Sequence, residues 1–154
     1  MDIGILTFEL SGRRFAIELG FVREVLALGN VTPVPGAPAA VRGLINVRGM
    51  LAAALDLAVL CGDRPHASRP GDAVVLLEAP PQPWSEGQPP RVAIPVDRVL
   101  EVSPSPPEIE PTPAAPDGPA CVRALLALES GPAALLDVPA LIASVRALVE
   151  RAAS

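Results

Sequence analysis

The chain has 154 residues, of which 50% are apolar, and it carries a net charge of -5 at pH 7. That length suffices for one ordinary domain or for two very small ones with a common core. The acidic balance argues against nucleic acid, because phosphate contacts select basic surfaces, and it equally disfavours electrostatic attraction to anionic membranes. Few residues are aromatic and tyrosine is absent, so alanine, valine and leucine must form the core.

Cysteine usage and the N-terminus indicate the compartment. Cys61 and Cys121 lie far apart, without a CxxC spacing; they could form a disulfide, but such a pattern favours two buried thiols in a reducing compartment. Asp2 and Glu9 interrupt the one candidate signal peptide, and no apolar run is long enough to span a bilayer. The sequence therefore predicts a soluble, cytoplasmic protein without direct membrane insertion.

The first part of the chain has the pattern of a β-meander. Alternating apolar residues predict a strand over 3–10, a tight turn at 11–14 and a returning strand from residue 15. The segment 19–28 fits either a short helical turn or a strand, and its periodicity does not decide between them. The prolines of 33–38 then exclude a helix or a central strand and predict an extended connector.

Residues 40–60 form the most distinctive stretch, which is mostly apolar and is interrupted by Gly43 and Gly49. We expect two strands joined by a tight turn that holds Arg48 at its tip, with Gly49 supplying a backbone conformation that other residues resist. The second arm, 51–55, has the intrinsic propensity of a helix. We assign it to a strand because a similar segment recurs later in the chain.

The rest of the chain contains fewer regular elements. Residues 73–77 have the composition of a buried strand, and two proline-rich segments, 79–90 and 103–119, are expected to be loops. Near the C-terminus, apolar residues at helical spacing predict an amphipathic helix over about 139–152. We expect this helix to pack on the rest of the protein.

The second half of the chain repeats apolar and charged positions of the first half. The repeated positions, at offsets of 77 and then 81 residues, are Ala16-Ile17 with Ala93-Ile94, Val22 with Val99, Glu24 with Glu101, Val41-Arg42 with Val122-Arg123, and Leu55-Asp56 with Leu136-Asp137. Two copies of a strand-rich unit predict paired small barrels rather than one large sandwich. The first barrel is expected over about 1–64 and the second over about 70–140.

Candidate catalytic groups are few. His66 is the one histidine; it lies in a polar loop, where a solvated side chain is expected, and with Cys61 it provides too few ligands for a structural zinc site. A nucleophilic pair of Cys61 and His66 is conceivable, but nothing in the sequence activates the thiol. Asp56 and Asp137 occupy equivalent positions, as in a carboxylate dyad, yet their neighbours favour turn caps. The sequence predicts neither an enzyme nor a metal or cofactor site.

Five short motifs follow one another in the first half of the chain. They are Phe-x-Leu-x-Gly-x-x-Phe-Ala-Ile at 8–17, Val-Arg-Glu-Val-Leu at 22–26, Thr-Pro-Val-Pro-Gly-Ala-Pro at 32–38, Val-x-Gly-Leu-Ile-Asn-Val-Arg-Gly at 41–49 and Leu-Asp-Leu at 55–57. In this order and spacing they resemble the CheW family of chemotaxis coupling proteins. The resemblance is looser in the second half, but it covers nearly the whole chain.

The resemblance implies a mainly β fold, with two five-stranded SH3-like barrels packed on a shared apolar interface and a C-terminal α-helix, in a single CheW-like domain over 1–154. It implies a non-catalytic cytoplasmic adaptor that couples the cytoplasmic tip of a methyl-accepting chemoreceptor to the regulatory domain of a CheA-type histidine kinase. The family's receptor contacts correspond to Val22, Glu24, Gly43 and Arg48, and all four residue types match.

Some features depart from the family pattern. Residues 50–54 are small, the two loops are unusually rich in proline, and Ala124 stands where the first copy has Gly43. These departures leave open a divergent CheW-like interaction module that serves a partner outside chemotaxis. From the residues alone, three alternatives are open for Glu24 and Arg48: they are charges that select a partner, solvated surface residues, or an ion pair, which would contribute little to stability if exposed.

Overall fold

A computed structural model describes residues 4–78, 91–103, 112–113, 121–128 and 130–153. The predicted loop 79–90 and most of the predicted loop 103–119 lie outside the described residues. Strands account for most of the described secondary structure, and one long helix follows the last strand. The chain is therefore mainly β with a C-terminal helix, as the sequence predicts.

The described residues form eleven β-strands, one 3-10 helix and two α-helices. In chain order the elements are β1 (Ile5–Leu10), β2 (Arg13–Glu18), the 3-10 helix (Leu19–Phe21), β3 (Val22–Ala27), β4 (Val41–Val47), β5 (Met50–Leu55), α1 (Leu57–Leu60), β6 (Ala73–Glu78), β7 (Arg91–Val96), β8 (Arg98–Ser103), β9 (Thr112–Pro113), β10 (Val122–Leu128), β11 (Gly131–Leu136) and α2 (Val138–Ala153). The strand assignment of 51–55 is confirmed, although its alanines favour a helix. The segment 19–28 contains both a helical turn and a strand.

The strands form two sheets. The β1 sheet has the order β8-β1-β2-β11-β10 and ends with the short β9, and the β3 sheet has the order β3-β6-β7-β5-β4. Each sheet contains one parallel pair, β2 with β11 and β5 with β7. In both sheets this parallel pair joins a hairpin from one half of the chain to a hairpin from the other half.

The two sheets do not coincide with the two halves of the chain, so the predicted barrel boundaries of 1–64 and 70–140 require correction. The β1–β2 hairpin belongs to the sheet of β10 and β11, whereas β6 and β7 belong to the sheet of β4 and β5. A repeat in sequence cannot specify the sheet of a hairpin, because either copy of a repeated strand offers an equivalent edge. The 3-10 helix Leu19–Phe21 leads the chain from one sheet to the other.

Strand registers nevertheless reproduce the repeat. Each copy contains a bulge near the start of a long hairpin. The paired positions on either side of the bulge, 81 residues apart in the two copies, are Val41–Leu55 and Gly43–Ala54 in β4–β5, and Val122–Leu136 and Ala124–Leu135 in β10–β11. The two copies therefore share one backbone plan, and their hairpins exchange places between the sheets.

Apolar side chains between the two sheets form the largest part of the core, which confirms the predicted shared interface. Phe8 and Phe15 stack there, with ring centroids 5.4 Å apart, and Leu55 and Ile94 are fully buried beside them in the same cluster. Burial of such a side chain contributes roughly 1.5–3 kcal/mol. The two sheets therefore stabilise each other through this shared cluster. Each sheet also has a smaller apolar cluster of its own.

The C-terminal helix α2 confirms the helix predicted over 139–152. Asp137 precedes it, and its carboxylate accepts a hydrogen bond from the N–H of Ala140 at 3.1 Å, which satisfies a free donor of the first turn. Val138, Leu141 and Val145 are buried in the shared interface. The start of the helix is therefore fixed by its cap and its position by one apolar face.

Candidate partner-binding site

The tip of the β4–β5 hairpin is the two-residue turn Arg48-Gly49. Both residues have positive φ, 53° and 82°, as in the type I′ turn that matches the twist of the flanking strands. The side-chain oxygen of Asn46 accepts a hydrogen bond from the N–H of Gly49 at 2.7 Å. Glycine adopts this conformation freely, but arginine does so at a cost of about 1 kcal/mol. A function of the side chain, rather than stability of the turn, would explain this strain.

Arg48 and Glu24 form a bidentate ion pair. Two guanidinium nitrogens of Arg48 donate hydrogen bonds to the two carboxylate oxygens of Glu24, each at 2.9 Å. Glu24 lies in β3 and Arg48 follows β4, and these strands are the opposite edges of the β3 sheet. The sheet is therefore curled so that its two edges approach each other. The structure therefore shows the ion pair between Glu24 and Arg48 that the sequence left as one alternative.

The two partners of this ion pair differ in exposure. The Arg48 side chain is 79% exposed and the Glu24 side chain 23%. An exposed ion pair stabilises a protein by less than about 1 kcal/mol, but bidentate geometry fixes the orientation of the guanidinium. The remaining N–H donors of the Arg48 guanidinium face solvent and can bind a carboxylate or carbonyl group of another molecule.

The other two predicted receptor contacts have packing roles. Val22 begins β3, is partly buried and packs against the shared apolar core. Gly43 is buried in β4 with φ of 150°, and a Cβ atom there would overlap the carbonyl oxygen of Thr32 and lie 2.8 Å from its carbonyl carbon. The glycine allows the segment between β3 and β4 to pack against β4 at Thr32. There Thr32 and Leu44 exchange backbone hydrogen bonds of 2.8 and 2.9 Å.

Two exposed apolar residues lie on the strands that lead to the ion pair, and their exposure is not evident from the sequence. Val25, which follows Glu24 in β3, is 45% exposed, and Leu51, which pairs with Asn46 across the β4–β5 hairpin, is 62% exposed. Both residues have the sequence spacing of buried positions. Periodicity alone does not show which positions of a strand are left uncovered by the rest of the protein. Exposed large apolar side chains on edge elements of a sheet offer surface that a protein partner can cover.

His66 is not the solvated loop residue that the sequence predicts. It is buried, and its Nε2 lies 2.7 Å from a carboxylate oxygen of Asp97 at the β7–β8 turn. The other Asp97 oxygen accepts a hydrogen bond from the N–H of Ser11 at 2.8 Å. Burial opposes ionisation of Asp97, but the hydrogen bonds from His66 and Ser11 hold its pKa below the ordinary value. Loop polarity gave the wrong prediction because distant segments bring partners to this histidine.

Asp56 and Asp137 cap separate helices, as their neighbours in sequence predict. The buried carboxylate of Asp56 accepts hydrogen bonds from the backbone N–H groups of Val59 at 3.4 Å and His66 at 2.9 Å. It also pairs with Arg42 at 3.2 Å. Both aspartates are therefore committed to structural partners, which leaves no basis for a catalytic dyad.

The remaining candidate groups for chemistry are also accounted for. The sulfur of Cys61 lies 4.0 Å from that of Cys121, and the His66 ring pairs with Asp97, so the two do not form a nucleophilic pair. Across the described ranges, no three side chains of His, Cys, Asp or Glu converge closely enough to hold a metal ion. None of the helices in that part of the chain is long and apolar enough to cross a membrane.

The arrangement of two sheets and a C-terminal helix agrees with one family. A family model described as the CheW-like domain matches residues 4–146. The chain belongs to the CheW-like domain family. The fold of this CheW-like chain is similar to the crystal structure of the scaffolding protein TtCheW from Thermoanaerobacter tengcongensis, with a TM-score of 0.72 and 23% identity over 89% of this chain and 90% of that chain.

A relative in sequence supports the same family. The "Probable chemotaxis protein CheW" of Rhizobium etli is 31% identical to the CheW-like chain over 64 residues. The matched segment spans 42% of this chain and 41% of the length of the relative. Together the comparisons confirm the family and the mainly β fold that the five motifs predict.

Proposed function

We propose that this CheW-like chain is a non-catalytic scaffold of a chemosensory signalling complex in the cytoplasm. It couples the cytoplasmic tip of a methyl-accepting chemoreceptor to the regulatory domain of a CheA-type histidine kinase. Its family supports a scaffolding role, and the two relatives are a scaffolding protein and a chemotaxis protein. The observation that carries the proposal is the exposed Arg48 guanidinium, which Glu24 holds at the hairpin tip.

The hairpin tip suits a helical partner that carries an acidic side chain or a free carbonyl group beside apolar residues. Glu24 orients the Arg48 guanidinium before binding, so less side-chain entropy is lost when the partner arrives. Val25 and Leu51 offer exposed apolar surface of the kind that a helix covers when it binds a groove. In this proposal Arg48 determines orientation and partner choice, and apolar burial provides most of the affinity.

Co-purification of the full chain with a receptor signalling fragment and the kinase tests the proposal. Arg48→Glu puts a negative charge beside Glu24 and is expected to weaken receptor binding at least about tenfold, with a smaller loss for Arg48→Ala. Arg98→Ala is a matched control, because the Arg98 side chain is 67% exposed and pairs with Glu9 in the other sheet. We expect the control to bind as well as the wild type.

The outcomes separate the receptor assignment from a general scaffolding role. If both Arg48 variants are folded and bind the receptor fragment as tightly as the wild type, the receptor site lies elsewhere. If the wild type binds neither the receptor fragment nor the kinase, the scaffold proposal is wrong. The alternative, a CheW-like module for a partner outside chemotaxis, would then take its place.

A further inference from the structure

The two cysteines of the chain meet at the boundary between the two sheets. Cys61 follows α1, which leaves the β3 sheet after β5, and Cys121 immediately precedes β10 of the β1 sheet. Their sulfur atoms are 4.0 Å apart, although 60 positions separate them in the chain. A disulfide requires a separation of about 2 Å, so bond formation needs only a small movement of the two side chains.

An open cavity reaches Cys61. The cavity has a volume of about 710 Å³, and Cys61, Arg13 and Arg14 contribute to its wall. Arg13 pairs with Asp63 at 3.3 Å, whereas Arg14 makes no ion pair within the described residues. Cys61 is partly exposed and Cys121 is buried. A small anionic disulfide is therefore attracted to the cavity and meets Cys61 before Cys121.

The two thiols share one hydrogen bond, which separates their acidities. The hydrogen bond joins the two sulfur atoms, either of which can be the donor, and it lowers the pKa of Cys121 against the effect of burial. The same hydrogen bond, together with burial, raises the pKa of Cys61. Because the pair titrates as a unit, a thiolate on either sulfur is stabilised by a hydrogen bond from the other thiol, and Cys61 is the sulfur that an incoming disulfide reaches because it is the more exposed of the two.

We propose that Cys61 and Cys121 are a reactive thiol pair that small-molecule disulfides, such as oxidised glutathione, convert into an intramolecular disulfide. The Cys61 sulfur attacks one glutathione sulfur, so a mixed disulfide forms, the glutathione S–S bond breaks and one glutathione leaves. Cys121 then attacks the Cys61 sulfur, and the second glutathione leaves. The two cysteines lose two electrons and two protons, which appear in two molecules of reduced glutathione.

The new bond would join α1 to β10 and so connect the two sheets covalently. A crosslink between residues far apart in sequence lowers the entropy of the unfolded chain. We expect the oxidised protein to unfold about 5 °C higher than the reduced protein, and a reducing agent to reverse the shift. Cys61→Ser should show no such shift in the same oxidant.

Intact-mass analysis of the full chain in oxidised glutathione tests the proposal and its order of steps. The wild type is expected to end two hydrogens lighter, without attached glutathione. Cys121→Ser should stop with one glutathione on Cys61, because the second nucleophile is missing. Cys61→Ser should stay unmodified while it is folded, because Cys121 is buried.

Three results would overturn this proposal. They are a folded wild type that keeps both thiols after prolonged exposure, a wild type that stops with glutathione attached, and disulfides only between chains. If a serine variant does not fold, peptide mapping of the oxidised wild type still decides, since a linked Cys61–Cys121 peptide is expected and its absence refutes the proposal.

Discussion

The β4–β5 and β10–β11 hairpins share a backbone plan but differ at their tips. Both have a bulge at the same place, and each pairs in parallel with a hairpin from the other half of the chain. The tip of β4–β5 is Arg48-Gly49, whereas the residues 81 positions later in the sequence are Glu129 and Ser130. The position of Glu24 is also acidic in the second copy, as Glu101. Only the first copy combines opposite charges at these two positions.

The difference between the two hairpin tips distinguishes residues that stabilise the fold in both copies from residues that occur in only one copy. Capping aspartates and the buried apolar positions recur in both copies, and they serve the two sheets in the same way. Arg48 has no basic counterpart, and its backbone is strained at the position it occupies. A residue that is unique to one copy and costs stability is the strongest candidate for partner binding.

The largest expected effect concerns the bulge. Gly43→Ala places a methyl group against the carbonyl group of Thr32, and we expect it to lower the free energy of unfolding by about 3 kcal/mol. The matched change in the other copy, Ala124→Gly, should cost about 1 kcal/mol. Urea denaturation of both variants measures the difference. Equal losses would mean that the close approach of Thr32 to Gly43 does not limit the side chain at this position.

For the two capping aspartates we again expect the larger loss of stability in the first copy. Asp56→Ala leaves Arg42 without its partner and removes two acceptors of backbone hydrogen bonds, so a loss of about 3 kcal/mol is expected. Asp137→Ala removes a helix cap and should cost about 1 kcal/mol. Thermal or urea denaturation ranks the two variants, and a larger loss for Asp137→Ala would contradict the description.

The contact of Asp97 with His66 belongs to one copy, because the position 77 residues earlier is Gly20. Since its folded-state pKa is lowered from 3.8, Asp97 stabilises the protein above that pH, and this stabilisation is lost as the pH falls through the folded-state pKa. Asp97→Asn should therefore cost about 1 kcal/mol at pH 7 and progressively less below about pH 4. Denaturation at several pH values tests this, and a difference that does not change with pH would refute it.

The smallest expected effect is a gain. Arg48→Gly removes the strain of an arginine with positive φ and loses only an exposed ion pair, so stability should rise by about 0.5 kcal/mol or stay unchanged. Receptor binding should fall in the same variant. A clear loss of stability would show that Arg48 serves the fold, and the contrast between the two copies would then lose its functional meaning.

Sequence reasoning predicts the family, the strands and the terminal helix well, because motif spacing, alternation and helical periodicity are local properties. The alanine-rich strand β5 is predicted correctly only through its repeat in β11. The exchange of hairpins between sheets is not predicted, because a repeated strand edge offers the same partners to either copy. The parallel contact of β2 with β11 is visible only in the structure.

The role of the four candidate site residues stays a prediction, and their arrangement in space is visible only in the structure. The four residues lie on the edge strands of the β3 sheet or at the adjoining hairpin tip, yet Gly43 serves packing and Val22 partly fills the core. The exposure of Leu51 depends on how far the facing sheet extends. The burial of His66 depends on Asp97, a residue far along the chain. Such long-range effects have no signature in local sequence.

The most direct test of the account is the affinity of a charge-reversed pair for the receptor signalling fragment. The double variant Glu24→Arg with Arg48→Glu can keep the ion pair but reverses the charge offered to the partner. If Arg48 contacts the receptor, Arg48→Glu weakens binding at least about tenfold and the added Glu24→Arg does not restore it. Restoration of wild-type affinity in the double variant would contradict this, because the ion pair itself, and not the Arg48 charge, would then be what binding requires.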